Sequence, residues 1–322
     1  MGVSEVNFDG IVGPTHCFSG LSHGNVASQT SGGHESGPRS AALQGLSKMR
    51  ALAALGVAQA VLPPQPRPCL RTLHRLGFSG SPAEVLAKVS SESQTLLRAV
   101  PSASAMGAAN AATVGPASDT TDGRLHLVVA NLRTMFHRSL EGPTTFAVLS
   151  RVFDSPERFE VSEPLPGEQF SDEGAANHTR LEADGRCLHL FAWGRKALEP
   201  DEAGPTRYPA RQTLEASRAV ARLLRLREAD VRFVRQHPAG IDAGAFHTDV
   251  VAVGHRDLLL MHELAFADGD AVRREIDAVF GGAVRVRTVA AAELPVEDAV
   301  ASYAFNSQLV SPAGRTGKVV IA

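Results

Sequence analysis

Residues 246–261 read FHTDVVAVGHRDLLLM. The first half alternates, so a strand there would set Phe246, Thr248, Val250 and Ala252 on one face and His247, Asp249, Val251 and Val253 on the other. His247 and Asp249 would then point the same way. Gly254-His255-Arg256-Asp257 turns the chain into Leu258-Leu259-Leu260-Met261, a predicted hairpin partner. Val272, Ile276 and Val279 follow at helical spacing until Gly281-Gly282 closes the helix. The order strand, strand, helix, strand marks a mixed α/β unit.

That order extends in both directions. Thr213 precedes Leu214, Val220, Ala221, Leu223 and Leu224, an amphipathic helix, and Val231–Val234 follows as a strand. Leu125, Leu127 and Val129 alternate as another strand, and Ser81-Pro82-Ala83-Glu84 is a capping box with Pro at the first helical position. Pro38 and Gly56 bracket a helix carrying Leu43, Leu46 and Met49, and the strand from Val57 to Leu62 is stopped by Pro63-Pro64. No clean sequence repeat is visible, yet the recurring order predicts a quasi-repeated α/β architecture. At the other end, Ala301–Val310 reads as a strand, Ser311-Pro312-Ala313-Gly314 as a turn, and Val319-Val320-Ile321-Ala322 as a strand without continuation. An unpaired apolar edge is an aggregation hazard, so a truncated frame is expected.

Composition narrows the function classes. The chain has 322 residues, enough at about 150 per domain for two domains or one large one. Lys plus Arg is 32 against 34 Asp plus Glu, and no basic block is interleaved with aromatics, so nucleic acid is not an expected partner. The longest uncharged stretch, Ala99–Ser118, contains two prolines and is no membrane span. The N-terminus lacks an export signal, and the cysteines at 17, 69 and 187 form no CxxC; a reducing cytoplasm fits. The twelve histidines include no HExxH, no P-loop or GxGxxG follows a strand, and neither metal nor nucleotide cofactor is expected.

Three polar clusters stand out. Gly13–Ser28 is rich in Gly, Ser and Asn and suits wrapping a small ligand with backbone N–H groups; it reads equally as a surface loop. Ser171-Asp172-Glu173-Gly174-Ala175-Ala176-Asn177-His178 offers adjacent carboxylates for a planar cation, or a solvated turn. His247-Thr248-Asp249 pairs an imidazole with a carboxylate for acid–base work, or is a core-edge His with a structural partner. Asn110, His137, Arg138 and Arg211 are weaker signals, Arg being suited to bidentate grip on a carboxylate. Asn110 lies in the small-residue run Ser104–Ala112, which reads as a packed turn. Cys17 is the cysteine that sits within a polar cluster; Cys69 and Cys187 read as buried.

Longer strings carry a resemblance. Asn7-Phe8-Asp9-Gly10 with Gly13-Pro14-Thr15-His16, Gly24-Asn25-Val26-Ala27-Ser28, Phe136-His137-Arg138-Ser139, Asp172–His178, Pro209-Ala210-Arg211-Gln212-Thr213 and Phe305-Asn306-Ser307-Gln308-Leu309 resemble the N-succinylarginine dihydrolases of the arginine succinyltransferase pathway. The resemblance implies a single pentein-type catalytic domain over 1–322, a five-module α/β propeller, working as a cytoplasmic homodimer without metal or cofactor. It implies hydrolysis of N2-succinyl-L-arginine to N2-succinyl-L-ornithine, ammonia and carbon dioxide. Glu173 and His247 would be catalytic. Substrate contacts would come from Ser19, Gly20, Leu21, Ser22, His23, Gly24, Asn25, Val26, Ala27, Ser28, Asn110, His137, Arg138, Arg211 and Asp249. Glu173 and Asp249 would grip the cation. The family's nucleophilic Cys lies in a Gly-rich stretch beyond the Asn-Ser-Gln-Leu strand, so both that thiol and the closing module are expected to be absent. A remnant that binds succinylarginine or a partner subunit without cleaving is the alternative.

Overall fold

The computed structural model describes residues 5–102, 108–199, 203–312 and 317–321. Its thirteen described strands are β1 (Val6–Gly10), β2 (Ala58–Leu62), β3 (Ala112–Gly115), β4 (Leu125–Val129), β5 (Phe159–Ser162), β6 (His178–Ala183), β7 (Arg186–Trp193), β8 (Val231–Arg235), β9 (Ala252–His255), β10 (Leu258–His262), β11 (Arg285–Val289), β12 (Gln308–Val310) and β13 (Val319–Ile321). They form five small sheets among the described residues, so the architecture is α/β with the strands distributed rather than gathered.

Three of the sheets share one plan. In β3-β4-β5, β6-β7-β8 and β9-β10-β11 the first two strands are antiparallel and the third joins parallel. Each parallel step is made through a helix, respectively Gly142–Val152, Leu214–Leu223 and Gly269–Phe280. The parallel pair β1-β2 is bridged in the same way by Pro38–Ala54. The helix signals in the sequence act as expected. Ser81 and Glu84 cap each other, the Thr213 hydroxyl accepts from the Ala216 N–H, and Gly281 ends its helix at φ 59°. Each helix turns its apolar stripe to its sheet. Val272, Ile276 and Phe280 join Leu188, Leu190, Leu259 and Met261 in the largest buried cluster, each such side chain contributing about 2–3 kcal/mol by leaving water.

Two expectations fail locally. Phe246–Val253 is not one strand: Thr248–Val250 is a 3-10 turn, and β9 begins only at Ala252. Asn177 Oδ1 accepts from both the N–H (2.9 Å) and the hydroxyl (3.2 Å) of Thr248, and this tertiary anchor overrides the alternation. Likewise only the last three residues of Ala301–Val310, those of β12, are strand. Val296–Ser302 is a helix with Glu297 and Asp298 in its first turn, where the helix dipole favours acids, and Tyr303 ends it in the left-handed region at φ 53°.

The last strand is also not unpaired. β13 runs antiparallel to β12, and Val310, Val319 and Ile321 pack with Leu52, Leu55 and Val57 of the first unit. Gln308 Nε2 donates to Asn7 Oδ1 at 2.9 Å, so the expected open edge between first and last sheets is bridged. Residues 104–107 of the small-residue run and 313–314 of the turn lie outside the described residues. No helix among the described residues is long and apolar enough to cross a membrane.

Candidate functional site

Where the turns after β4, before β6 and before β9 meet the N-terminal loop, they enclose a cavity of about 530 Å3. Of the sequence-derived site residues, Ser19, Gly20, Leu21, Ser22, Asn25, Ala27, Ser28, Asn110, His137, Arg138, Arg211, His247 and Asp249 line it. His23, Gly24, Val26 and Glu173 do not. His23 stacks edge-on against Tyr208 and its carbonyl accepts from Arg211 Nη2 at 2.6 Å, while Gly24, at φ +81°, faces Tyr208. Val26 packs into the main core.

Glu173 is the hub behind the wall. It sits in the left-handed region at φ 63°, fully buried, and its carbonyl accepts from Asn110 Nδ2 at 2.8 Å. Oε1 accepts from the Thr134 hydroxyl at 2.7 Å and the Ser171 hydroxyl at 3.3 Å. Oε2 takes Arg138 Nη1 in a short ion pair and His247 Nε2 at 2.8 Å, with Arg211 Nη1 3.9 Å away. Burial alone would raise its pKa; Arg138, His247 and Arg211 outweigh it and hold the carboxyl well below the usual range. With both oxygens engaged, Glu173 has no edge left for a ligand, which corrects the expectation that it grips a cation.

The groups facing the cavity divide the work. Burial lowers the His247 pKa to about 4, so the ring is neutral at pH 7. The bond to Glu173 places the proton on Nε2, leaving the Nδ1 lone pair 4.0 Å from Asp249 Oδ1. That Oδ1 is buried and has no hydrogen-bond partner, and burial pushes the Asp249 pKa up to about 7. His137, also shifted down to about 4 by burial, meets the Ser22 hydroxyl at 3.2 Å. Arg211, 2% exposed, lies 4.8 Å over the Phe246 ring; burial lowers its pKa to about 10, so it stays charged.

The turn that aims Glu173 is built by its neighbours. Asp172 accepts from the N–H groups of Gly174 (2.7 Å) and Asn131 (3.0 Å). Gly174 has φ +76°, and a Cβ there would lie 2.6 Å from the Ala109 carbonyl. Gly174→Ala is therefore expected to cost about 2–4 kcal/mol in urea denaturation, combining strain and clash. A loss under 0.5 kcal/mol would mean the turn is not under this constraint.

Sequence reasoning missed the part played by Thr134, Phe246, Tyr303 and Asn306. Tyr303 lines the cavity and donates its hydroxyl to Asn25 Oδ1 at 2.9 Å; it was hidden in the misread strand, whereas Asn306 stood in a quoted string. None of the three cysteines lines the cavity. Cys17 Sγ instead lies 3.0 Å from the Ser19 hydroxyl. Two histidine–carboxylate clusters elsewhere, Asp119-Cys187-His189 and Asp122-His126-Glu160, are occupied by Arg180 and Arg124.

The site residues fall within a whole-chain match. The sequence model of the succinylarginine dihydrolases matches residues 2–322. The N-succinylarginine dihydrolase of Myxococcus xanthus is 55% identical over 309 residues, 95% of this chain and 70% of the relative. That of Chromohalobacter salexigens is 53% identical over 312 residues, 96% of this chain and 70% of the relative. Among solved structures, a mutant DDAH from Pseudomonas aeruginosa complexed with citrulline aligns at 13% identity and TM-score 0.43 over 92% of this chain and 96% of that one. With half of its residues shared over nearly its whole length, the chain belongs to the succinylarginine dihydrolase family.

Proposed function

We propose that the cavity binds N2-succinyl-L-arginine and serves its hydrolysis, with two waters consumed, to N2-succinyl-L-ornithine, two ammonia and carbon dioxide. The observation that carries this reading is the buried, unpartnered Asp249 Oδ1 beside a neutral imidazole whose far nitrogen is held by Glu173. A guanidinium is planar and cationic, and an ionised carboxylate accepts two of its parallel N–H bonds. Asp249 offers Oδ1 for that grip, beside the hydrogen bond its carboxyl takes from Asn306. His247 Nδ1 is placed to take a proton and return it to a departing amine, and Glu173 stabilises the imidazolium that forms. Arg211 and the Ser19–Ser28 wall suit the anionic succinyl and α-carboxylate groups. The attacking group is not assigned to Cys17, Cys69 or Cys187, none of which reaches the cavity. Arrangement of the five sheets as a five-module propeller is part of the same reading, supported by the hairpin-plus-parallel plan shared by three of them.

The pH dependence of binding tests it. The guanidinium needs ionised Asp249, whose carboxyl is raised to about 7, while His247 is already neutral above its lowered value. Calorimetric affinity for succinylarginine should rise about tenfold from pH 6 to 8 and level off, and the slope should vanish in Asp249→Asn. The same raised pKa works against folding as pH climbs past the ordinary carboxylate range towards 7, and the bound cation offsets that loss. Absence of binding, or affinity indifferent to pH in the unaltered chain, would remove this reading.

A further inference from the structure

A second, larger cavity of about 800 Å3 lies on the outer side of the turn that carries His137 and Arg138. Its walls come from the helix Leu70–Arg75, the segment Ala130–Leu140, the start of the helix Gly142–Val152 and the loop around Glu163–Glu168. Arg71, Arg75 and Arg133 all face it. Among the described residues no side-chain hydrogen bond or ion pair engages any of these three guanidinium groups. Elsewhere, arginines near the site are matched: Arg67 to Glu141 at 3.0 Å and Arg138 to Glu173. The two acids in the wall do not balance the three cations, since Glu168 is shared with Arg195 at 3.7 Å. In a chain with more acids than bases, three exposed arginines lining one cavity without a protein partner are a local excess of positive charge.

We propose that this outer cavity binds a small polyanion, a molecule with two or three carboxylate or phosphate groups, and that its occupancy is coupled to the inner cavity. Arg71 and Arg75, four residues apart, lie on one helix face and present two forks to the same ligand. Phe136 (48% exposed) and Leu76 (55% exposed) add apolar wall for the carbon body of such a molecule. Coupling follows from one helical turn, Phe136–Ser139. Phe136 and Ser139, three apart, line the outer cavity; His137 and Arg138, between them, line the inner one. Arg133 is also next in sequence to Thr134, whose hydroxyl holds Glu173. An anion that draws on Arg133 or Phe136 therefore acts on the element that positions the Arg138–Glu173 pair.

Calorimetry on the full chain at low salt, with citrate, succinate and inorganic phosphate as probes, tests this. At least one probe should bind saturably, with Kd on the order of 0.1–1 mM for contacts at a partly exposed rim, weakening as salt is added. Citrate or succinate without phosphate would identify a carboxylate ligand, and phosphate alone a phosphate ligand. Arg71→Ala/Arg75→Ala should weaken binding at least tenfold and Arg133→Ala several-fold; these side chains have no partners to lose, so the fold should stand. Arg211→Ala should leave it unchanged. Saturating anion should shift succinylarginine affinity at least threefold, with the reciprocal shift in anion affinity. No saturable heat from any probe, indifference to the three outer arginines, or loss in Arg211→Ala overturns the site; unchanged succinylarginine affinity overturns the coupling. If succinylarginine itself does not bind the unaltered chain, the functional reading fails while the anion titration still decides the outer cavity.

Discussion

Glu173→Gln is expected to lower stability at pH 7 by about 3–5 kcal/mol, the usual cost of removing one partner from a buried ion pair. The amide keeps the volume but strips the countercharge from Arg138 and Arg211, which are 3% and 2% exposed. It also ends the charge-assisted bond that fixes the tautomer of His247. The sign with pH is determined by the depressed carboxyl. Its contribution is complete above the unfolded pKa of about 4.3 and is lost as pH falls through the folded value, so the gap between parent and variant should narrow in acid. Urea denaturation at several pH values measures this. A deficit below 1 kcal/mol at neutral pH would show that the cluster is not held by that carboxylate.

Arg211→Ala is expected to weaken succinylarginine binding about a hundredfold, as two charge-assisted hydrogen bonds of about 1.5 kcal/mol each are lost. Arg211 is nearly fully buried, anchored to the His23 carbonyl and stacked on Phe246, so its guanidinium is pre-oriented. His247→Ala should change affinity only a few-fold, because a neutral ring gives little to ground-state binding of a cation. Calorimetry yielding the opposite order would contradict the division of roles between these two side chains.

Local signals in the sequence carried the helices and the strand order well. Caps at Ser81, Thr213 and Gly281 and the turn at Arg256, in the left-handed region at φ 51°, all act as written. Alternation misled at Thr248–Val250 and at 301–310, since Asn177 and the acidic first turn of Val296–Ser302 outweigh strand preference there. His247 and Asp249 nevertheless share the cavity, by way of a turn rather than a pleat. The three polar clusters were legible as chemistry because their residue types are unusual outside charged faces. The inward aim of Glu173 was not. It depends on a left-handed residue braced locally by Asp172 and Gly174 and from distant parts of the chain by Asn110, Ala109 and Asn131. The resemblance added the substrate class, which residue types alone leave open.

The hydroxyl of Tyr303 reaches Asn25 across 278 positions of chain. A ribosome emitting this polypeptide from its N-terminus must have released Tyr303 before that span can close, so the ligand chamber cannot be finished in any shorter nascent chain. Loop closure over such a distance is entropically slow, and a ligand offered to a nascent chain should find no finished receptacle.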